Sequence, residues 1–392
     1  MNKYLTNLTP MRGIAALLTV IFHVDLMLGN GGDMLVKRSQ SMVLSRMYLM
    51  VDFFFILSGF IMYHVYGKMF SDKVDKNSFK KFTIARFARV YPLHFLTLFY
   101  CIVLFFISSR LDIPENPVIQ VANSANSIIT NLFLLHSMNF HNWFSWNHAS
   151  WSISTEWWAY MIFPFLVAPF TRLNKTSKVI VALICFAGYL CITYFIIPIV
   201  TVPKEIPFVK ADPSQLSINV AYQYGYMRCL CGFVLGMVVY EAYKANWLKH
   251  IFSNGYIFIS LFFAALVCMH LNLPDFITIL FFPFILLCGA FGSPKTDKLF
   301  KTTALQKLGD WSFSIYLTHQ PLLFTIAAVL AYLNPIATSK LPSGPPPKPD
   351  IITGWLICLA FIGLVLFVSS LTYRFFEVPV RNWINQKANG KS

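Results

Sequence analysis

Long apolar runs recur along the whole of this 392-residue chain, and no other feature limits its fold as strongly. The stretch 351–371 contains no charged residue, and a helix of that length can cross the roughly 30 Å hydrocarbon core of a bilayer. Hydrophobic residues make up 57% of the chain and charged residues 12%, against about 25% charged residues in soluble domains. This composition excludes disordered, collagen-like, coiled-coil and disulfide-rich secreted chains. It predicts an all-α, polytopic membrane protein.

Ten segments are long and apolar enough to be predicted as transmembrane helices. They are residues 11–28, 47–69, 90–108, 152–171, 179–200, 220–240, 251–270, 276–291, 311–333 and 351–373. A shorter apolar piece, 127–138, contains Asn131 and His136, and we predict that it is re-entrant or interfacial. No gap between the spans is long enough for a soluble catalytic domain, so a single integral membrane domain is expected over residues 1–392.

The distribution of basic residues predicts that both termini are cytoplasmic. With the N-terminus inside, 22 of the 31 Lys and Arg residues lie in cytoplasmic segments and 8 lie in outer loops, while Arg228 lies within a span. An inner excess of this kind agrees with the positive-inside rule. Counting 127–138 as a full span would move every later loop to the other side of the membrane and remove this inner excess. The net charge of +15 is therefore explained by basic residues that orient the chain among membrane lipids, and no nucleic-acid partner is expected.

All eight cysteines lie inside apolar segments, and none forms a CxxC or a Cys/His ligand pattern. Buried apolar thiols are therefore expected, and no metal site is expected.

Ionisable side chains inside membrane spans are costly, so each one is a candidate for function. They are His23, Asp25, Asp52, His64, His94, Glu156, Arg228 and His319. Arg12 and His23 are eleven residues apart, so at 100° per residue they share one helix face, about 16 Å apart along the axis. This pair can line a water-filled path, or it can consist of a snorkelling arginine and a structural histidine.

Two arginines mark the cytoplasmic start of the third predicted span. Arg86 and Arg89 are three residues apart and therefore lie on the same face of a helix. Guanidinium groups bind phosphates with paired hydrogen bonds, so this pair is a candidate phosphate site. Simple anchoring at the cytoplasmic surface is the alternative.

The segment 147–158 places Ser152 and Glu156 on one helix face. A glutamate at this depth needs a partner, and we consider a histidine, whose basicity it would raise, or Arg228. Arg228 could equally balance Asp52. His319, just before a proline, is either a core residue or a functional one.

Six segments carry these polar residues in a fixed order. They are LTPMRGIAALLTVIFHV (8–24), VDFFFILSGFIM (51–62), FTIARFARVYPLH (82–94), SWSISTEWWAYMIFP (150–164), LGDWSFSIYLTHQPL (308–322) and FEVPVRNW (376–383). Together they resemble the acyltransferase-3 family of polytopic membrane O-acyltransferases, over residues 8 to about 383. Family members typically acetylate sugar hydroxyls of bacterial surface polysaccharides.

The resemblance implies an acetyl-CoA donor that enters from the cytoplasm and no metal. It implies that Arg12, Arg86 and Arg89 hold the phosphates of the donor, and that His23 is the essential histidine with Glu156 in the same catalytic pocket. Possible further pocket residues are Asp52, Ser152, Arg228 and His319. Many family members carry an extracytoplasmic SGNH-type domain, which we do not find in this sequence. The chain is then expected to deliver the acyl group itself or to pass it to a separate partner.

The expected acceptor is a glycan such as lipopolysaccharide O-antigen or exopolysaccharide, reached across the bacterial cytoplasmic (inner) membrane. His23 would be the general base, tuned by Glu156, or it would carry the acetyl group as acetyl-histidine. A proton-coupled transporter or flippase of a glycan or small molecule is the first alternative function, since such proteins also use intramembrane ionisable groups. A scaffold or sensor with a degenerate site is the second.

Overall fold

The computed structural model describes residues 5–28, 32–113, 121–201, 216–333 and 349–388, and these residues form helices and loops without a strand. The α-helices are α1 Leu8–Leu28, α2 Met50–Tyr66, α3 Lys76–Arg110, α4 Ala125–Leu132, α5 Trp151–Arg172, α6 Lys175–Cys191, α7 Gly225–Lys244, α8 Lys249–Phe252, α9 Gly255–His270, α10 Asp275–Ile279, α11 Phe282–Phe291, α12 Pro294–Phe300, α13 Thr303–Asp310, α14 Ser312–Leu333, α15 Ile351–Thr372 and α16 Val378–Ala388. The π-helical turn Tyr373–Glu377 joins α15 to α16.

Seven helical segments of the described chain are long and apolar enough to cross a membrane. They are Leu8–Met27, Leu44–Met69, Lys76–Arg110, Lys175–Ile199, Gly225–Lys244, Ser312–Leu333 and Ile351–Ala388. The pair Asp275–Phe291 and Pro294–Phe300 makes an eighth only if it is counted as one span, because it bends by 88°. The all-helical membrane class is thus confirmed.

Three of the ten predicted spans, 276–291, 251–270 and 152–171, do not match single long apolar helices in the structure. The predicted span 276–291 is divided between α10 and α11, and α9 has only 16 residues. Helix α5 has 22 residues, but its first turns carry Ser, Thr and Glu, and it does not count among the seven apolar helices. The stretch 127–138 contains the last six residues of the eight-residue α4, which is too short to cross a bilayer. The count of ten spans stays a prediction.

Helices α1 and α14 lie side by side and run in the same direction. Arg12 donates a hydrogen bond to the Ser312 hydroxyl (2.9 Å) at the start of α14. Farther along both helices, the His23 ring contacts the His319 ring. Arg12 and His23 therefore face the same neighbouring helix, as their eleven-residue spacing predicts.

Helices α2 and α15 run the opposite way. Tyr66, at the end of α2, accepts a hydrogen bond from Arg86 near the start of α3 (3.0 Å). Glu377, just after α15, forms an ion pair with Arg89. Since Arg12, Arg86 and Arg89 lie together, we call this end of the molecule the basic end.

Helix α3 begins at the basic end with an aspartate cap. The Asp75 carboxylate accepts hydrogen bonds from the backbone N–H groups of Asn77 and Ser78, both at 3.0 Å. Hydrogen bonds from Ser78, side chain and backbone, lower the pKa of Asp75 below its usual value. A carboxylate at the helix N-terminus satisfies free N–H groups, so the start of α3 is well defined ahead of its two arginines.

Glycines allow α2 and α7 to approach each other more closely than other residues would permit. A Cβ at Gly59 would lie 1.8 Å from the carbonyl oxygen of Phe233, and one at Gly236 would lie 2.0 Å from that of Ile56. Small residues at such contacts let helix backbones pack tightly in membranes. This contact fixes α2, and with it Ser58 and Asp52, against the centre of the bundle.

The substitution Gly59→Ala is expected to destabilise the protein, because its clash is with backbone that cannot rotate away. Overpacking a well-packed site costs about 1–3 kcal/mol or more. The matched control is Gly363→Ala on α15, where a Cβ would meet no atom within 4 Å. The measurement is thermal unfolding in detergent, followed by tryptophan fluorescence. Equal unfolding temperatures for the two variants would contradict the close-packing argument.

Candidate active site

A cavity of about 440 Å³ opens at the basic end, between α1, α3, α13 and α16. Its charged lining residues are Arg12, Arg86, Arg89, Arg381 and Asp310. Its size lies within the range of small-molecule sites, and the excess of guanidinium groups favours an anionic ligand. We call it the basic chamber.

A second, narrower cavity of about 150 Å³ shares Arg12, Arg86 and Arg89 with the basic chamber. It extends between α2, α3, α5 and α14, and we call it the inner channel. Its uncharged polar lining residues and its one acid are Ser58, Ser152, Tyr160, Ser312, Tyr316 and Glu156. The two cavities together suit a ligand with a polyanionic head and a thin arm.

Arg89 is held at the junction of the two cavities by a buried carboxylate. Glu377, 3% exposed, is its ion-pair partner and also accepts a hydrogen bond from the Ser314 hydroxyl (2.7 Å). A carboxylate that binds both a guanidinium group and a hydroxyl restricts the rotamers of each. Arg89 therefore presents its guanidinium group in a preset position.

The other two arginines are also oriented by neighbours. Arg12 donates to the backbone carbonyl of Gly309 (3.1 Å) as well as to Ser312, which ties it to the α13–α14 junction. The guanidinium group of Arg86 lies 5.1 Å from the centre of the Tyr66 ring. The structure thus brings together the three arginines that the sequence predicted as one phosphate site.

Glu156 lies in the inner channel and is bonded to two hydroxyl groups. Ser58 of α2 and Tyr160 of α5 each donate to the same carboxylate oxygen, Oε1, at 2.5 Å. The partner of Glu156 is therefore neither Arg228 nor a histidine, which were the two partners considered from sequence. Ser58 and Tyr160 were not identified from sequence as partners of Glu156. Ser58 belongs to the segment VDFFFILSGFIM (51–62), and Tyr160 is one helical turn after Glu156.

His23 pairs with His319, and the hydrogen bonds define its tautomer. His319 Nδ1 lies 3.2 Å from the carbonyl oxygen of Ile315, and His319 Nε2 lies 3.2 Å from His23 Nδ1. His23 Nδ1 is also 2.9 Å from the carbonyl oxygen of Thr19. Carbonyls only accept, so in the neutral pair both Nδ1 atoms carry the proton. The Nε2 lone pair of His23 is then left available as a base.

Tyr316 lies between the inner channel and the histidine pair. Its hydroxyl is 2.7 Å from that of Ser152, and its ring centre is 5.9 Å from that of His319. Both Tyr316 and Ser152 line the channel, whereas His23 and His319 are not among its lining residues. The local sequence signal for Tyr316 was its position three residues before His319.

Asp52 and Arg228 form a structural ion pair, and neither lines the cavities described above. The two side chains are fully buried, and Arg228 donates to both carboxylate oxygens of Asp52, at 2.9 and 2.5 Å. Each satisfies the charge of the other, and their assignment as possible pocket residues stays a prediction. The Asp52 alternative for Arg228 is the correct one.

The cysteines and the possible metal ligands add no further chemistry. All eight cysteines are free thiols, six of them buried. Within the described ranges, no three His, Cys, Asp or Glu side chains are grouped closely enough to hold a metal ion.

Comparison with known proteins identifies the family. A family model described as an acyltransferase domain matches residues 6–374. The peptidoglycan O-acetyltransferase OatA of Listeria monocytogenes is 19% identical over 97% of this chain, which spans 56% of the length of that protein. The acyltransferase MdmB of Streptomyces mycarofaciens is 26% identical over 80% of this chain and 78% of its own length. No solved structure matches.

The match covers the three arginines, Glu156 and the histidine pair, which are the residues that build and adjoin the two cavities. The chain belongs to the acyltransferase-3 family.

Proposed function

We propose that this protein transfers an acetyl group from acetyl-CoA at the basic end to a glycan hydroxyl that arrives from the opposite side of the membrane. The observation that carries the proposal is that the basic chamber and the inner channel share Arg12, Arg86 and Arg89, and that the channel is also lined by Tyr316, beside the His23–His319 pair. The Listeria relative is named as an O-acetyltransferase of a glycan, which supports this acceptor class. O-antigen and exopolysaccharide are glycans of the same chemistry.

The proposed topology has ten spans in a bacterial cytoplasmic membrane, with both termini inside. Helices α1 and α14 are parallel, so an even number of crossings must separate their starts. Eight crossings satisfy this requirement, and α14 and α15 make ten. The basic end is then cytoplasmic, in agreement with the positive-inside rule.

Arg12, Arg86 and Arg89 are proposed to bind the phosphates of the donor. Phosphates and guanidinium groups form charge-assisted, paired hydrogen bonds, and the three arginines are already oriented by neighbouring groups. The narrow inner channel suits the thin arm of coenzyme A, which carries the thioester. The Tyr316 hydroxyl also lines the channel and can stabilise a developing oxyanion. Ser58 and Tyr160, in contrast, already donate their hydroxyl protons to Glu156.

His23 is proposed as the base. Its Nε2 accepts the proton of the acceptor hydroxyl as the new C–O bond forms, the C–S bond breaks and the thiolate of coenzyme A leaves. His319 would stabilise the charged imidazole that results, through its contact with His23 Nδ1. In the other route open to this geometry, the same Nε2 attacks the thioester, the C–S bond breaks, the thiolate of coenzyme A leaves, and the acceptor hydroxyl then takes the acetyl group from the acetyl-histidine and releases the histidine. Glu156 is proposed to order the channel hydroxyls through Ser58 and Tyr160.

The test is transfer of label from radioactive acetyl-CoA to extracted surface glycans in membranes that contain the protein. The variant Arg86→Ala/Arg89→Ala is expected to raise KM for acetyl-CoA at least tenfold, because hydrogen bonds between charged groups contribute about 1.5–3 kcal/mol each. Excess donor should restore part of the rate.

The control is Arg172→Ala at the end of α5, since Arg172 lines neither cavity. It should leave KM unchanged. Movement of the glycan across the membrane without incorporation of label would contradict the proposal and favour a transporter.

A further inference from the structure

Helix α16 forms one wall of the basic chamber. It packs along the first turns of α3, and its residues Arg381 and Asn385 line the chamber opposite Arg86 and Arg89. From sequence, Arg381 was one of the 22 cations predicted on the cytoplasmic side, and it belonged to the segment FEVPVRNW (376–383) without a role assigned to it. The structure places it at the mouth of the site.

The charges around Arg381 are arranged about one buried carboxylate. Glu377 Oε1 lies 3.9 Å from Arg381 and is also the ion-pair partner of Arg89. The Arg381 side chain is 28% exposed and lines the chamber. Among the described residues that line the chamber, four are arginines and one, Asp310, is an acid, and Glu377 pairs with Arg89, so an excess of positive charge is left for a ligand.

A neighbouring surface pocket extends the positive wall away from the inner channel. It shares Asn385 with the chamber, and it is lined by Lys80 and Lys81 of α3. Arg86 and Arg89 line both the chamber and the channel, whereas Arg381 lines the chamber alone. The basic groups therefore form an inner set, near the channel, and an outer set on α3 and α16.

The donor has two separate phosphate positions, a diphosphate next to the thin arm and a ribose phosphate farther from the thioester. We propose that Arg381 of α16 binds the ribose phosphate of the acyl donor, while the inner arginines hold its diphosphate. This inference rests on the proposed donor. It assigns α16 and its arginine to donor binding, with Glu377 as the positioning residue that fixes the spacing between Arg381 and Arg89.

The experiment uses the full chain in nanodiscs and compares acetyl-CoA with acetyl-dephospho-CoA, which lacks the ribose phosphate. Arg381→Gln is expected to raise both KM and Kd for acetyl-CoA about tenfold, with kcat little changed. For acetyl-dephospho-CoA the variant and the wild type should be alike. The wild type itself should bind acetyl-dephospho-CoA more weakly than acetyl-CoA.

The matched control is Lys387→Gln, which removes one positive charge from the same helix. The Lys387 ammonium lies over the Trp383 ring (4.6 Å) and does not line the chamber. It should leave KM and Kd unchanged for both donors. An equal rise for Lys387→Gln would show a general charge effect and would overturn the inference.

A lipid headgroup could supply the same phosphate chemistry, so the nanodiscs are prepared with and without phosphatidylglycerol. An Arg381→Gln effect that requires phosphatidylglycerol would overturn the donor assignment, as would an equal effect on both donors or none. Binding of the two donors is measured without turnover. Wild-type protein that binds acetyl-CoA but transfers no acetyl group would therefore contradict the proposed reaction. The Kd values of wild type and Arg381→Gln for the two donors would still test the role of Arg381.

Discussion

The substitution His23→Ala is expected to lower the rate of acyl transfer by about 10²- to 10⁴-fold, the usual contribution of a positioned general base. His23 is proposed to remove the proton from the acceptor hydroxyl through Nε2, and alanine cannot replace that lone pair. The KM for acetyl-CoA should stay nearly the same, because the arginines of the donor site lie at the basic end, whereas His23 lies near the opposite end of α1. The measurement is steady-state incorporation of labelled acetyl into glycan.

Two further histidine variants separate catalysis from folding. His319→Gln should cause a smaller loss than His23→Ala, because His319 contacts His23 Nδ1 but is not the proposed base. His270→Ala is the control, since His270 is exposed and bonds to Ser41 at the end of α9. Full activity of His23→Ala, in protein that unfolds at the wild-type temperature, would rule out both the base and the acetyl-histidine routes.

The substitution Asp52→Ala is expected to destabilise the fold by about 3–5 kcal/mol, the usual cost of removing one partner of a buried ion pair. It would leave the fully buried Arg228 without its carboxylate in the centre of the bundle. Such a charge cannot be hydrated without opening the α2–α7 contact. The measurement is thermal unfolding in detergent together with the yield of folded protein.

The exposed ion pair Asp33–Arg38 provides the matched control. Both of its side chains are 42% exposed, exposed pairs contribute about 0–1 kcal/mol, and the backbone hydrogen bond that Asp33 accepts from Arg38 is also exposed, so Asp33→Ala should lower the unfolding temperature far less than Asp52→Ala. The double variant Asp52→Leu/Arg228→Met should recover much of the stability that Asp52→Ala loses, because it removes both charges together. If Asp52→Ala were as stable as Asp33→Ala, the pair would not hold α2 to α7.

The local patterns of the chain predicted those parts of the site that lie on single helices. The eleven-residue spacing of Arg12 and His23 places both on the α14 side of α1, because helical geometry depends only on spacing. Arg86 and Arg89 lie together for the same reason. The membrane class follows from apolar length alone, because a bilayer demands long, internally bonded helices.

Partners that are distant in sequence had no local signal. Glu156 has Ser58 of α2 as a hydrogen-bond partner and Arg228 has Asp52, and each choice depends on how α2 packs against α5 and α7. Periodicity could not select among several possible counter-charges, because it describes one helix at a time. The apolar length of 276–291 likewise did not reveal the break between α10 and α11.

The basic chamber is the clearest case of a feature that only packing creates. Its walls come from several helices, and Arg381 reaches it because α16, which continues α15 through the π-helical turn Tyr373–Glu377, packs along α3. Spacing within one helix sets which side chains share a face, and the apolar runs set which segments enter the bilayer. Which helix packs against each face is decided by the free energy of packing the whole bundle. In that packing each buried charge needs a partner, and glycines lie where the backbone of a neighbouring helix approaches closely.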